Sequence, residues 1–309
     1  MTTPAVGQTS QTRVTPYISP QMFASHARRG VQVNNLAPGQ DETSQLAALV
    51  DYIAQASALM NSFLLGTLAA TTDTEVGPVT INPQGYAIIV PRYRPIIALT
   101  ALSLGPNIAQ LTAYTDLSAA AVELNRILVP VGPYGVWMTN QGPLQLGRAA
   151  PIPGQMYGQW STCNGYPVTS MTASAAADAT QIEVADTTGI LAGQTPLTIQ
   201  ADRLRIRKVP TAVSTASPGG LGTGPGTLTF ATAIGVDITN DAAFPTQVDA
   251  LPADVIQAAV MMTRGLIKKT SGGNISSNTQ STRNRDPLGA GDDMAAAYEM
   301  IDQYQMVQR

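Results

Sequence analysis

Histidine and cysteine, the residue types that most often act as catalytic bases and nucleophiles, each occur once in the chain, as His26 and Cys163. His26 lies in the stretch SPQMFASHARRG, which predicts a short helix and not the sharp strand-to-helix turn that presents a catalytic nucleophile. One cysteine cannot form an intrachain disulfide or a zinc site with several cysteine ligands. We therefore expect His26 to be a surface or interface residue, Cys163 to be a small, partly buried thiol, and the chain to have no catalytic residues.

Two other patterns resemble ligand sites only in part. The stretch GGLGTGPG at 219–226 is rich in glycine like a phosphate loop, but no Lys-Ser or Lys-Thr pair follows it and no helix opens there. Asp292 and Asp293 are adjacent at the start of a predicted helix, where their charge complements the helix dipole better than it fits a two-metal site. The sequence thus predicts no metal site, no cofactor and no enzymatic activity.

Basic residues are concentrated in two places. Arg203, Arg205 and Arg207 alternate along a predicted strand, which puts them on one face of a sheet. That face is either solvated or in contact with phosphate or an acidic partner, and both interpretations stay open. Between Val255 and Arg285 there is no acidic residue, a bias that suits an acidic partner surface or passing DNA. The basic residues of this segment are candidate interface residues: Arg264, Lys268, Lys269, Arg283 and Arg285.

Composition limits the partners of the chain. Charged residues make up 12% of its 309 residues and the formal net charge is −3, so no global attraction to nucleic acid or anionic membrane is expected. The N-terminus carries no hydrophobic signal core, and no stretch of about 18 apolar residues occurs in the sequence. The sequence therefore predicts a protein made in the cytosol and kept there, or in an assembly built there, without a membrane partner.

Amphipathic periodicity predicts helices near 19–29, 41–65 and 252–269. The last of these lies in LPADVIQAAVMMTRGLIKK, which has a proline at the first helical position, an acid in the first turn and two lysines at the end. Its broad apolar stripe must cover a core, another subunit, or both.

The C-terminal tail is predicted to be a partner-binding element. Its linker is rich in serine, asparagine, threonine and glycine and is predicted to be flexible, and the helix beyond it carries Met294, Tyr298 and Ile301 on one face. A helix of about 15 residues is marginally stable alone in water, so this apolar face requires a cover. That cover is either a partner or the chain's own domain.

Runs with β-strand character fill most of the chain between the second and third predicted helices. The first, from Glu75 to about Met138, contains NPQG as a hairpin turn, and the second is predicted to form a small inserted β-sandwich or barrel. The predicted fold class is α+β: a helical framework with a β-hairpin region, an inserted β-domain and a C-terminal tail helix. The predicted divisions are a flexible N-terminal arm at 1–18, a framework at 19–160, the β-domain at 161–248, a framework helix at 249–270, and a linker with the tail helix at 271–309.

Several stretches resemble parts of a known family. YRPIIALTALSLG at 93–105, an Arg-Pro that enters a strand after a hairpin, and LPADVIQAAVMMTRGLIKK at 251–269 are similar to the head-to-tail connector, or adaptor, proteins of tailed bacteriophages. The predicted helix at 41–65 matches their early helical hairpin. TQIEVADTTGI with TPLTIQADRLRIRKV looks like the β-domain inserted in larger adaptors of actinobacterial phages. The long polar linker and the extra tail helix depart from the family's pattern.

The resemblance implies a structural virion protein and not an enzyme. Members of this family form rings, commonly dodecameric, that join the capsid portal to the tail or its stopper and let DNA pass without sequence recognition. The implied partners are other copies of the chain, a portal protein, a stopper or tail-terminator protein, and DNA in the lumen, with assembly in the host cytoplasm. Two alternatives stay open: a stopper or tail-completion protein, and a module that binds a host surface or carbohydrate.

Overall fold

The computed structural model describes residues 15–26, 36, 41–82, 84–123, 125–131, 136–139, 142–145, 155–201, 204–215, 223–241, 245–270 and 290–304. Strands account for 36% and helices for 28% of the structure, so β-structure is the larger part. The described residues form three hydrophobic cores: one among the helices, one inside a curled seven-stranded sheet, and one inside a smaller pair of sheets.

The α-helices in the described part of the chain are α1 (Pro20–His26), α2 (Glu42–Leu64), α3 (Ala253–Thr270) and α4 (Ala290–Ile301), which a 3₁₀ turn (Asp302–Tyr304) extends. Polar side chains cap the first two helices, as these residue types favour. The Ser19 hydroxyl accepts the N–H of Met22 at 3.1 Å, and the Asp41 carboxylate accepts the N–H of Ser44 at 2.8 Å. Each cap satisfies a backbone donor that the helix itself leaves without a partner.

The helices share one core because their apolar faces point towards one another. Apolar residues of α2 within 49–64 and of α3 within 255–267 are almost fully buried in it. Tyr17, just before α1, is also fully buried, and its hydroxyl accepts the N–H of Leu68 at 2.8 Å. Of the predicted N-terminal arm, residues 1–14 lie outside the described residues, whereas Tyr17 belongs to this core.

Strands between α2 and the small β-region form the largest sheet. Its strands are β1 (Thr71–Ile81), β2 (Tyr86–Ile89), β3 (Ile96–Gly105), β4 (Thr112–Tyr114), β5 (Ala121–Val122), β6 (Ile127–Pro130) and β9 (Gln155–Asn164), and a separate hairpin holds β7 (Val136–Thr139) and β8 (Gly142–Gln145). The sheet is antiparallel in the order β4-β3-β9-β1-β2-β6-β5. It curls into a half-barrel, and the Tyr114 hydroxyl on β4 donates to the carbonyl of Pro130 on β6.

Two glycines shape the core of the half-barrel. Gly77 on β1 and Gly158 on β9 lie opposite each other in register. A Cβ atom at Gly77 would lie 3.0 Å from the Trp160 ring, whereas one at Gly158 would lie 2.8 Å from Val79 and 3.0 Å from Leu104. A larger residue would therefore displace the Trp160 ring at the first position and the two aliphatic side chains at the second, all of which belong to this core.

Residues between β9 and α3 build the small β-domain, which has its own core. Its strands are β10 (Val168–Ser170), β11 (Gln181–Val184), β12 (Leu197–Ala201), β13 (Leu204–Lys208), β14 (Pro210–Thr215), β15 (Gly226–Phe230) and β16 (Gln247–Asp249). They form a four-stranded sheet, β10-β16-β12-β13, and a three-stranded sheet, β11-β15-β14. Ile199 and Val248 of the first sheet share the core with Ile182 and Leu228 of the second.

Two connections join the small β-domain to the rest of the chain, and they run side by side. On the incoming connection, the N–H of Tyr166 donates to the carbonyl of Leu68 at 2.7 Å. On the outgoing connection, the N–H of Ala250 donates to the carbonyl of Pro167 at 2.9 Å, and α3 then begins at Ala253. The two connections are therefore hydrogen-bonded to each other, and one of them is also fixed to the segment that follows α2.

The prediction of a helical connector framework is wrong. The protein is mostly β, and its largest unit is the curled antiparallel half-barrel. The physical reason is pairing between segments that are far apart in sequence. β9 pairs with both β1 and β3, and neither contact can be read from a local hydrophobic pattern. The helices predicted near 19–29, 41–65 and 252–269 have counterparts in α1, α2 and α3, but they build only one of the three cores.

Candidate functional site

The interface residues predicted on the third helix and the tail helix come together in the α3–α4 helix pair. Met294, Tyr298 and Ile301 of α4 lie against the helical core of the same chain, where Ile301 is fully buried. The Tyr298 ring packs on Phe63 of α2, with 4.6 Å between the ring centroids. The chain's own helices therefore cover this apolar face, which is one of the two covers that the sequence leaves open.

A buried carboxylate lies between two of the predicted basic residues. The Asp293 side chain, which is 2% exposed, lies 2.8 Å from the Lys268 ammonium nitrogen and 3.1 Å from Nε of Arg264. Both cations lie on α3, whereas Asp293 lies near the beginning of α4, where the helix dipole also favours a negative charge. Two positive charges and one negative charge leave this cluster with a single net positive charge. The cluster fastens the start of α4 to the last turns of α3.

A second polar contact fastens the other end of the helix pair. The Tyr304 hydroxyl lies 2.9 and 3.0 Å from the two carboxylate oxygens of Asp254, in the first turn of α3, and donates its proton to that carboxylate. The Gln303 amide donates to the same carboxylate at 2.6 Å. Burial, together with the Asp254 charge, raises the pKa of the Tyr304 hydroxyl, so it stays a donor. The two helices are therefore antiparallel and joined at both ends.

The other predicted interface residues do not take part in these contacts. Lys269, next to Lys268, is exposed near the end of α3. Arg283 and Arg285 lie outside the described residues, and so does Arg203 on the predicted arginine strand. In the basic segment 255–285, Arg264 and Lys268 therefore lie beside an acid, whereas Lys269 is exposed to solvent.

The chain's one histidine, His26, and its one cysteine, Cys163, lie in different parts of the fold. His26 Nδ1 lies 2.9 Å from the carbonyl oxygen of Met22, at the end of α1. Cys163 is fully buried on β9, and burial, with the charges of Asp73 and Asp186 adding to it, raises the pKa of its thiol to about 12. Such a thiol is protonated near neutral pH, whereas a nucleophilic cysteine needs the thiolate.

The described end of the glycine-rich stretch 219–226 is bound to a carboxylate. The N–H of Gly224 donates to Asp186 at 3.0 Å, and the carbonyl of Gly224 accepts the Thr187 hydroxyl at 3.1 Å. Residues 219–222 lie outside the described residues. A phosphate would need the backbone N–H that Asp186 already binds, so this end of the loop is organised to stabilise the small β-domain.

The alternating arginines lie on the outer face of β13. Arg205 and Arg207 are exposed and lie opposite Gln200 and Thr198 of β12. Their neighbour Ile206 points to the other face and packs against the core of the small β-domain. The guanidinium groups are therefore directed away from that core.

A buried acid, Asp249 on β16, shares this outer face, because it lies opposite Thr198 in register. Its carboxylate accepts long hydrogen bonds from the Gln247 amide and from the N–H of Leu251, both at 3.3 Å. Burial raises the pKa of Asp249 to about 6, although the positive charge of Arg205 acts in the opposite direction. Removal from water thus outweighs the attraction of the nearest cation.

Sequence reasoning missed the partners of these acids. The position of Asp293 at a helix start predicts only a favourable interaction with the helix dipole, yet Asp293 lies four residues before Ala297 and eight before Ile301, both of which are fully buried. Residues at these spacings share one helix face, so a carboxylate in line with them predicts a buried charge that requires a cation. That signal indicates burial, but it does not show that the cations come from α3.

No protein-family model, curated protein or solved structure matches the chain. Within the described residues, no helix is long and apolar enough to cross a membrane. The same residues contain no group of three or more His, Cys, Asp or Glu side chains placed to hold a metal ion. Function is therefore inferred from the geometry of this chain and from the resemblance in its sequence.

Proposed function

We propose that the chain is a structural protein of a phage neck, which forms a ring of its own copies between the capsid portal and the tail or stopper. A dodecamer, which the resemblance implies, leaves a lumen through which DNA passes without sequence recognition. One observation supports this proposal most directly. α2 and α3, two of the segments that carry the resemblance, pack in one core although the half-barrel and the small β-domain lie between them in sequence.

The roles of the buried polar groups also support a structural protein. Asp293 and Asp254 each bind side chains from a distant segment of the chain and thereby hold α4 on α3. The Cys163 thiol is buried and its raised pKa keeps it protonated. These groups stabilise the subunit, and a subunit that transmits contacts between two larger assemblies benefits from such rigidity.

The oligomeric state of the purified full-length protein tests the proposal. Native mass spectrometry should show a species whose mass is an integral multiple of 32.2 kDa, and electron microscopy should show a closed ring. Proteomics of purified particles should find the chain in the virion. A monomer at every concentration tested, together with absence from particles, would overturn the proposal.

A second candidate, a stopper or tail-completion protein, is favoured by the high strand content. Strands exceed helices, 36% against 28%, which fits a β-dominated closure protein better than a helical adaptor. Labelling of purified particles with an antibody fragment separates the two candidates. A label directly below the portal favours the adaptor, whereas a label at the exit of the channel favours the stopper.

A further inference from the structure

β13 is an edge strand with a free side. Among the described residues it pairs only with β12, in a register that runs from Ala201↔Leu204 to Leu197↔Lys208. The backbone N–H and C=O groups along its other side therefore have no strand partner within the described chain. Such an edge can accept an extended segment as an additional strand, with the main chain supplying hydrogen bonds and the side chains supplying specificity.

The side chains of β13 alternate between two kinds of surface. Arg205 and Arg207 project from the outer face and are exposed. Leu204, on the same face as Ile206, is 56% exposed although Ile206 beside it packs on the core. The Lys208 ammonium group already binds within the chain, because it donates to the Thr232 hydroxyl and the Ala233 carbonyl. The available pattern is therefore two guanidinium groups on one face and an exposed apolar side chain on the other.

Charge decides which kind of segment fits this edge. A second copy of β13 would bring its own guanidinium groups against Arg205 and Arg207, and like charges on neighbouring strands are destabilising. Within the described residues neither arginine forms an ion pair, and the nearby Asp249 is buried with a raised pKa. A strand with carboxylates opposite the arginines and apolar residues opposite Leu204 would satisfy both faces.

We propose that β13 is the docking edge for an extended acidic segment of a different protein, in which acidic and apolar residues alternate. The segment adds a strand to the four-stranded sheet, sets its carboxylates beside Arg205 and Arg207, and covers Leu204. This contact requires the small β-domain of one subunit but not a ring. The proposal for β13 can therefore be confirmed or rejected whether or not the protein forms the proposed oligomer.

The probe that tests this edge is a capped, fluorescently labelled peptide of about seven residues, a typical strand length, in which glutamate alternates with valine. Fluorescence anisotropy should show that it binds the full-length protein. A peptide with lysine in place of glutamate should not bind. Hydrogen exchange of the backbone amides in 204–208 should slow when the glutamate peptide is added, because an added strand protects them.

Charge reversal supplies the matched variants. Arg205→Glu combined with Arg207→Glu should weaken binding of the glutamate peptide by roughly tenfold or more and should allow the lysine peptide to bind. Lys269→Glu, the same reversal at an exposed position of α3, should leave binding unchanged. Circular dichroism checks that the variants are folded, and the gain of lysine-peptide binding is a readout that misfolding cannot produce.

Three results would overturn the proposal. They are failure of the glutamate peptide to bind, equal binding by the charge-reversed protein, and binding without protection of 204–208. A labelled DNA duplex serves as the competing probe. If the duplex binds through Arg205 and Arg207 while the glutamate peptide does not, the face contacts phosphate and not an acidic strand.

Discussion

The α3 helix and the β13 strand both carry closely spaced cations, but the two sets have different surroundings. Arg264 and Lys268 on α3 meet the buried carboxylate of Asp293, which a different helix supplies. Arg205 and Arg207 on β13 are exposed, and the acid nearest to them in the sheet, Asp249, is buried with a raised pKa. One pair of cations therefore stabilises the fold, and the other remains available to a partner.

The difference shows that a basic segment of sequence is not the same as a basic surface. The run from Val255 to Arg285 contains no acid, yet its first two cations find one beyond the linker, on α4. The arginines of β13 are fewer, and they remain exposed. Counter-charges that come from distant segments decide which cations are free, and local charge counting does not include them.

Among the substitutions that test this comparison, Asp293→Ala should lower the free energy of unfolding most. It leaves Arg264 and Lys268 side by side without a counter-charge in a partly buried place, where the loss of one partner of an ion pair costs about 3 kcal/mol. Urea unfolding followed by circular dichroism measures the change. Asp302→Ala, at an exposed acid two turns further along, is the control and should change stability by less than about 0.5 kcal/mol. A loss below about 1 kcal/mol at Asp293 would mean that the cluster is not stabilising.

Asp249→Asn tests whether the carboxyl group of Asp249, which shares a sheet face with Arg205 and Arg207, has a raised pKa in the folded protein. The folded-state pKa of about 6 lies above the ordinary value of 3.8, so the stability that this group contributes is present below pH 3.8 and is lost as the pH rises through 6. The unfolding free energy of the native protein, measured relative to that of the variant, should therefore fall by about 3 kcal/mol across this window. Urea unfolding at a series of pH values measures it. A difference that does not change with pH would show that Asp249 titrates normally.

Tyr304→Phe tests the other end of the α3–α4 pair. It removes the hydroxyl that donates to Asp254 but keeps the ring, so it should cost about 1 kcal/mol. Tyr86→Phe, at a tyrosine that is 39% exposed on the large sheet, is the matched control. Thermal unfolding of both variants should show a lower midpoint for the first only, and equal midpoints would mean that Tyr304 does not fasten the helices.

Arg207→Ala should have the smallest effect on stability. The side chain is exposed and forms no ion pair within the described residues, so its removal should change the unfolding free energy by less than about 0.5 kcal/mol. Urea unfolding beside Lys268→Ala makes the comparison direct, because the lysine variant should be clearly less stable. If both losses are similar, the distinction between the two sets of cations fails.

The helices were the part of the fold that the sequence could predict well. The predicted ranges 41–65 and 252–269 correspond to Glu42–Leu64 and Ala253–Thr270, because caps and apolar periodicity are local features. The NPQG turn was also predictable, and the N–H of Gly85 donates to the carbonyl of Asn82 where β1 meets β2. Such features depend only on residues close in sequence.

The half-barrel could not be predicted in the same way. β9 lies between β1 and β3 in the sheet, whereas the sequence pattern places its residues 161–164 in the inserted β-domain. Strand pairing across many residues depends on which faces become buried together, and a single sequence does not contain that information. The same limit applies to Asp293, whose place on an apolar helix face was visible but whose partners were not.

The side-by-side connections of the small β-domain give the molecule a mechanical property. β13 pairs with β12 at five positions, and β12 pairs with β16. Only residues 250–252 separate the end of β16 from the beginning of α3, so this path from the edge strand to the helix contains no long loop. The hydrogen bond from the N–H of Ala250 to the carbonyl of Pro167 holds the two connections together, so two paired segments join the small β-domain to the helical core. α3 is joined in turn to α4 through Asp293 and Asp254. A force applied at β13 would therefore meet a continuous series of hydrogen bonds and ion pairs before it reached the far end of the helix pair.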